Sequence, residues 1–220
     1  MISYTLDAQD IITSVNPAFQ TFAEENNAPF SASDVLGRSI FKSVTGHSTR
    51  TLYEAIYRFV RESGVELQIP YRCDSPTHRR HMSMVISRAQ ANTLEVRNEQ
   101  VECVEKTYPS VGVRHVASDA GRGIVRVARI CSICNHLSLR DGEWLELDIA
   151  VETYRSYFDV ENPYAVSMPC ERCIAGIAQR TDAAQTRLVG SKHRTHHAID
   201  DFVKMRKNVI PILRGERPEH

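Results

Sequence analysis

Cysteine is where this chain has the residue types and spacing to do chemistry. Cys131-Ser132-Ile133-Cys134 and Cys170-Glu171-Arg172-Cys173 are two C-x₂-C pairs within one sequence of 220 residues. A two-residue gap lets both thiolates of a pair curl round a single ion. Two such pairs fill the four positions of a tetrahedral centre at about 2.3 Å each. Other chemistries compete for the same residues. A c-type haem needs His directly after the second cysteine, but Asn135 stands there and His136 comes one place late. A thioredoxin-like redox couple needs one pair in a βαβ setting, and two matched pairs point elsewhere. Iron takes the same four thiolates in iron–sulfur or rubredoxin-like sites, so spacing alone leaves zinc or iron. A zinc site filled by four cysteines keeps no position for water, and its expected role is structural.

Bulk composition narrows the setting. Lys plus Arg equals Asp plus Glu at 27 each, so net charge gives no reason to expect nucleic acid. No apolar run approaches the ~20 residues of a membrane span, which argues against a membrane partner. Met1 to Asp7 has neither the basic start nor the apolar block of a secretory signal. A cytosolic location is therefore expected, where paired cysteines serve as metal ligands or redox thiols more often than as disulfides.

The elements that must position these residues follow from periodicity. Ile2 to Asp7 and Ile11 to Val15 read as two short strands, and Asn16-Pro17 as a helix start with Asn as cap. Leu52, Ala55, Ile56, Phe59 and Val60 recur at helical spacing, and Gly64 ends that helix. Val65 to Tyr71 alternates as a strand, with Pro70 marking a bulge or an edge position. Met82 to Ile86 is a return strand and Leu94 to Val104 a third, whose apolar phase slips between Val96 and Val101, as at a bulge. The turn from Tyr71 to Arg80 is rich in basic side chains and reads as a solvated tip, with an anion or acidic-partner contact as the alternative.

Two strands, a run of helices and three meandering strands resemble a PAS domain. The resemblance is carried by Ile12 to Phe19, by Val35-Leu36-Gly37-Arg38-Ser39-Ile40-Phe41 and by the hairpin 65–88. It implies a sensor over residues 1–107, with an antiparallel five-stranded sheet and helices enclosing a small cavity. Candidate cavity residues for a small-molecule ligand are Phe19, Phe22, Phe41, Ile56, Tyr57 and Met84. A flavin-photochemical version would carry a reactive-cysteine motif that is not found here. A haem version would need a histidine ligand, for which His47, His78 and His81 are the candidates. Cys73 and Cys103 lack a C-x₂-C partner and read as packing residues.

Residues 108–124 have the Gly, Pro and Ser content of a linker. In the module expected over 125–188, Asp141-Gly142 between apolar runs signals a hairpin, a helix starts near Asp148, 163–168 is irregular, and a helix continues from Cys173. Knuckle, hairpin and a second ligand pair at a helix N-terminus resemble a treble-clef zinc site. The module is also similar to one found behind PAS domains in some bacterial signalling proteins, through Cys131, Cys134, Gly142-Glu143-Trp144, Cys170 and Cys173. Ser167-Met168-Pro169 departs from the His-Gly-Ile expected there, which removes a histidine that would support the metal. In the tail, 189–220, His193, His196 and His197 align at helical spacing, and an apolar edge from Ile199 to Ile212 is expected to cover the body or a second subunit.

The fold class expected is α+β: a PAS-like sheet domain plus a small zinc-stabilised module. The function expected is signalling, with a ligand or partner sensed by the first domain and relayed through the second by protein–protein contact or self-association. Alternatives are a haem- or metal-based gas or redox sensor and a nucleic-acid-binding zinc module, the latter disfavoured by balanced charge and a single tryptophan. No nucleophile–base pairing that would mark an enzyme emerges. Loss of Cys134 is expected to release the metal and unfold 125–180 while the first hundred residues stay folded.

Overall fold

Local capping and alternation translate directly into the first half of the molecule. The computed structural model describes residues 1–26, 30–90, 92–106, 114–115, 127–139, 143–159 and 164–189. Strands β1 (Ile2–Leu6) and β2 (Ile12–Val15) form a hairpin closed by Asp7, whose carboxylate accepts from the N–H groups of Gln9 and Ile11 at 2.9 Å. Asn16 caps α1 (Pro17–Glu25) by accepting from Phe19 N at 3.2 Å, and Pro17 takes the first position, where no N–H is needed. Helix α2 (Ala32–Val35) and a 3-10 turn (Ile40–Lys42) lead into α3 (His47–Ser63). This is the long amphipathic helix of the sequence pattern. Leu52, Ile56, Phe59 and Val60 are buried along one face, and Gly64 ends it in the left-handed region at φ +71°.

Strands β3 (Leu67–Arg72), β4 (His78–Arg88) and β5 (Leu94–Glu105) complete an antiparallel five-stranded sheet in the order β2-β1-β5-β4-β3. Pro70 is tolerated because β3 lies at the edge. The expected slip is a bulge: His81 pairs with Glu102 and Met82 with Gln100, so Val101 is the extra residue. The bulge turns Val101 outward, leaving it 69% exposed.

The second half contains β6 (Arg114–His115), β7 (Ala128–Cys131), β8 (Leu137–Ser138), α4 (Leu147–Thr153), α5 (Arg155–Phe158), β9 (Tyr164–Met168) and α6 (Glu171–Val189). Its sheet runs β6-β9-β7-β8, with β9 parallel to both β6 and β7. Two features depart from the sequence reading. Tyr164–Met168 is a strand where irregular chain was expected, because its partner β7 is distant in sequence and leaves no local signal. Arg114–His115, inside the expected linker, pairs with Tyr164 and Ala165. Asp141 and Gly142 lie outside the described residues, but Leu137 and Leu145 on either side exchange backbone hydrogen bonds at 2.8 and 2.9 Å, as the hairpin requires. The tail cluster His193, His196 and His197 also lies outside them.

The principal core joins both halves. Leu52, Ile56, Phe59 and Ile69 of α3 and the first sheet share one buried cluster with Cys131, Ile133, Cys170, Ile174 and Ile177. A smaller core of Ala128, Ile130, Leu137, Ala150, Tyr157 and Ala165 sits within the second half. The chain is therefore mixed α+β, as expected, with the cysteines embedded where the halves meet.

Candidate metal centre

Tight local turns bring the four cysteines together. Cys131 ends β7, and Asn135, at φ +59°, bends the chain back so that Asn135 N donates to Cys131 O at 2.9 Å. Cys131 N donates to His136 O at 2.8 Å and closes the knuckle. The second pair straddles the start of α6: Cys170 immediately precedes it and Cys173 lies in its first turn. That helix end carries partial positive charge, which favours thiolate. Cys170 N also donates to Cys131 Sγ at 3.2 Å.

The four Sγ atoms lie within 4.8 Å of one another, and Cys134 and Cys170 are 3.8 Å apart. A tetrahedron with metal–sulfur bonds of about 2.3 Å has edges of about 3.8 Å. A disulfide would bring two sulfurs to about 2.05 Å; all four are free thiols instead. The quartet can therefore hold a metal such as zinc, with Cys131 and Cys170 sealed in the core at 1% and 0% exposure. As thiols alone the four compete for protons. Hydrogen bonds from Cys131, Cys170 and Cys173 hold Cys134 far below the ordinary thiol range, while those that Cys173 makes to Cys131, Cys134 and Cys170 push it far above. Only a cation lets all four ionise together.

Residues outside the motif brace the quartet. His136 Nδ1 lies 3.1 Å from Cys134 O, and its Nε2 lies 3.0 Å from Arg172 Nη2. The nearby Cys134 sulfur raises the Arg172 guanidinium pKa further. His136 and Arg172 thus flank the centre, whereas Ser167 and Met168 belong to β9. In the sequence His136 stands out only as one place late for haem attachment. Its role depends on the knuckle's fold-back, which spacing does not show.

The basic turn 71–80 is a latch between the halves. Arg72 and Asp74, each 5% exposed, pair at 2.6 Å, and Arg72 reaches Glu146 at 3.1 Å. Lys106 approaches Asp74 at 3.6 Å, Asn135 donates to it at 3.2 Å, and Arg79 pairs with Asp148 at 3.2 Å. Burial pushes the Asp74 carboxyl up, but hydrogen bonds and charge from Arg72 outweigh it and hold the group below the usual carboxylate range. The tip is therefore tied down through acidic groups of the second half, a long-range arrangement invisible to a local count of basic residues. Backbone and hydroxyl contacts reinforce it: Arg72 N donates to Ile133 O at 2.7 Å, and Thr49 Oγ1 to Ser132 Oγ at 2.9 Å.

The other sequence candidates are spread over the molecule. Phe41, Ile56, Tyr57 and Met84 belong to the principal core, with the Phe41 and Tyr57 rings 5.9 Å apart. Phe19 and Phe22 are half-buried; Phe19 meets Phe30 at 6.3 Å, and the Arg80 guanidinium lies 5.2 Å from the Phe22 ring. Burial outweighs a Tyr57 hydrogen bond and leaves the Tyr4 phenol pushed up to about 12. Burial pushes the Tyr53 phenol up, and charge on Tyr4, Cys131 and Cys173 adds to it. His47 is exposed at the start of α3, and His78 contacts the Thr77 hydroxyl at 2.8 Å. His81 lies on a groove of about 620 Å³ beside the cysteines, which Pro70, Met82, Ile133, Cys134, Cys173 and Arg180 also line.

Among the described residues no helix is long and apolar enough to cross a membrane. Compared with known proteins, the chain matches no family model and no curated protein sequence.

Proposed function

We propose that the chain is a sensory signalling protein. A PAS-like domain over residues 1–107 senses a small ligand or a partner, and a structural zinc module of treble-clef type relays the change by protein–protein contact. The observation that carries this reading is the single core shared by α3, β3 and the cysteine quartet. A shift of α3 or β3 is transmitted directly to the knuckle through Thr49–Ser132 and Arg72–Ile133. The antiparallel five-stranded sheet and its helices support the sensor part of the proposal. The 3.8 Å sulfur spacing supports zinc in the module. Elemental analysis combined with native mass spectrometry tests it. One zinc per chain together with a retained small molecule or partner chain is the expected result. A metal-free monomer carrying neither overturns it.

A further inference from the structure

The quartet is asymmetric in its access. Cys131 and Cys170 are sealed in the core, while Cys134 and Cys173 are partly exposed and line the groove. That groove is large enough for a small molecule and bounded mainly by carbon, with Pro70, Met82 and Ile133 in its lining together with the two cysteines. Arg172 lies on the protein surface between the two cysteines of the second pair, its Nη2 3.0 Å from His136 Nε2. A metal-bound sulfur remains a thiolate, and thiolate is the nucleophile toward oxidants.

We infer that Cys134 is an oxidation site for small hydroperoxides, through which the metal centre is opened reversibly; the inference rests on the zinc reading above. The Cys134 thiolate attacks one peroxide oxygen, an S–O bond forms and the O–O bond breaks. Sulfur is oxidised to a sulfenic acid, and the other oxygen leaves beside the Arg172 guanidinium, as hydroxide from hydrogen peroxide or as alkoxide from an organic hydroperoxide. The Cys170 thiolate, 3.8 Å away, then attacks the Cys134 sulfur and expels hydroxide. One peroxide is thus reduced for each disulfide formed. Cys131 and Cys173 remain as two thiolates, too few to complete a tetrahedral site, so the cation is lost. Closing 3.8 Å to about 2.05 Å draws the knuckle toward the start of α6 and loads the contacts that hold the knuckle to α3 and β3.

The test uses the full chain carrying Cys73→Ser and Cys103→Ser, so that the other two thiols do not consume oxidant. Metal content is measured first; then hydrogen peroxide is titrated while a chromogenic chelator reads released zinc and peptide mass spectrometry maps the thiols. The expected result is one zinc released per peroxide consumed, a Cys134–Cys170 disulfide, and zinc rebinding after reduction. Arg172→Ala should slow release several-fold, the rate being scaled to the zinc that the variant itself carries before peroxide is added. Stoichiometric zinc retained under a tenfold excess of peroxide overturns this inference and leaves the zinc reading standing. A disulfide joining any other two cysteines of the quartet also overturns it, and a chain isolated without metal overturns both.

Discussion

At the scale of single residues, the quartet and the Arg72–Asp74 latch make separable demands. On the zinc reading proposed above, Cys134→Ser removes one of four ligands and should lower bound zinc below about one tenth of the wild-type content by elemental analysis. Asp74→Asn leaves Arg72 charged and 5% exposed with only Glu146 beside it. That variant should lose about 3 kcal/mol in urea unfolding. The same pair sets a pH dependence. Because the folded Asp74 carboxyl lies below its ordinary value, its contribution is complete above about pH 3.9 and fades as pH falls through the lower folded value. Acid titration of unfolding should show this loss in the wild type and a flatter curve in Asp74→Asn. The cysteines were legible in sequence because ligand type and gap alone define them. The latch was not, since Arg72 and Glu146 meet only after the two halves fold.

Among the elements, the start of α3 comes close to β9. Gly46, at φ +90°, caps α3, and a Cβ there would run into the Ser167 carbonyl. Gly46→Ala therefore combines left-handed strain of about 1–2 kcal/mol with displacement of β9. A thermal melt several degrees lower is the expected outcome, with zinc affinity reduced because β9 leads directly into Cys170. The amphipathic α3 and a bulge between Val96 and Val101 could be read from the sequence as a local continuation and a local break of period, whereas Pro70 left β3 as either bulged or at an edge. Strand β9 could not, because parallel pairing with β7 is a tertiary fact. The burial of Ile174 and Ile177 against the first sheet's cluster was hidden for the same reason: their spacing on α6 does not disclose what they pack against.

For the whole molecule, the shared core replaces two independent units with one coupled body. Removing metal with a chelator should lower the melting temperature of the first sheet along with that of the cysteine module, in a single transition by both near- and far-ultraviolet circular dichroism. Two well-separated transitions, with the first hundred residues unaffected, would falsify the coupling. This outcome differs from what the sequence suggested for loss of Cys134, and the difference lies in Cys131, Ile133 and Cys170 being core residues as well as candidate ligands or their neighbours.

The knuckle's hold on β3 also guards the molecule's border. Along β3 every second residue turns its N–H away from β4; Arg72 gives that donor to Ile133, and Pro70, next in the row, has none to offer. A foreign strand arriving at this margin finds little to template on. Demetallated chain should therefore adhere to its own copies through β3, as rising light scatter, before the sheet itself comes apart.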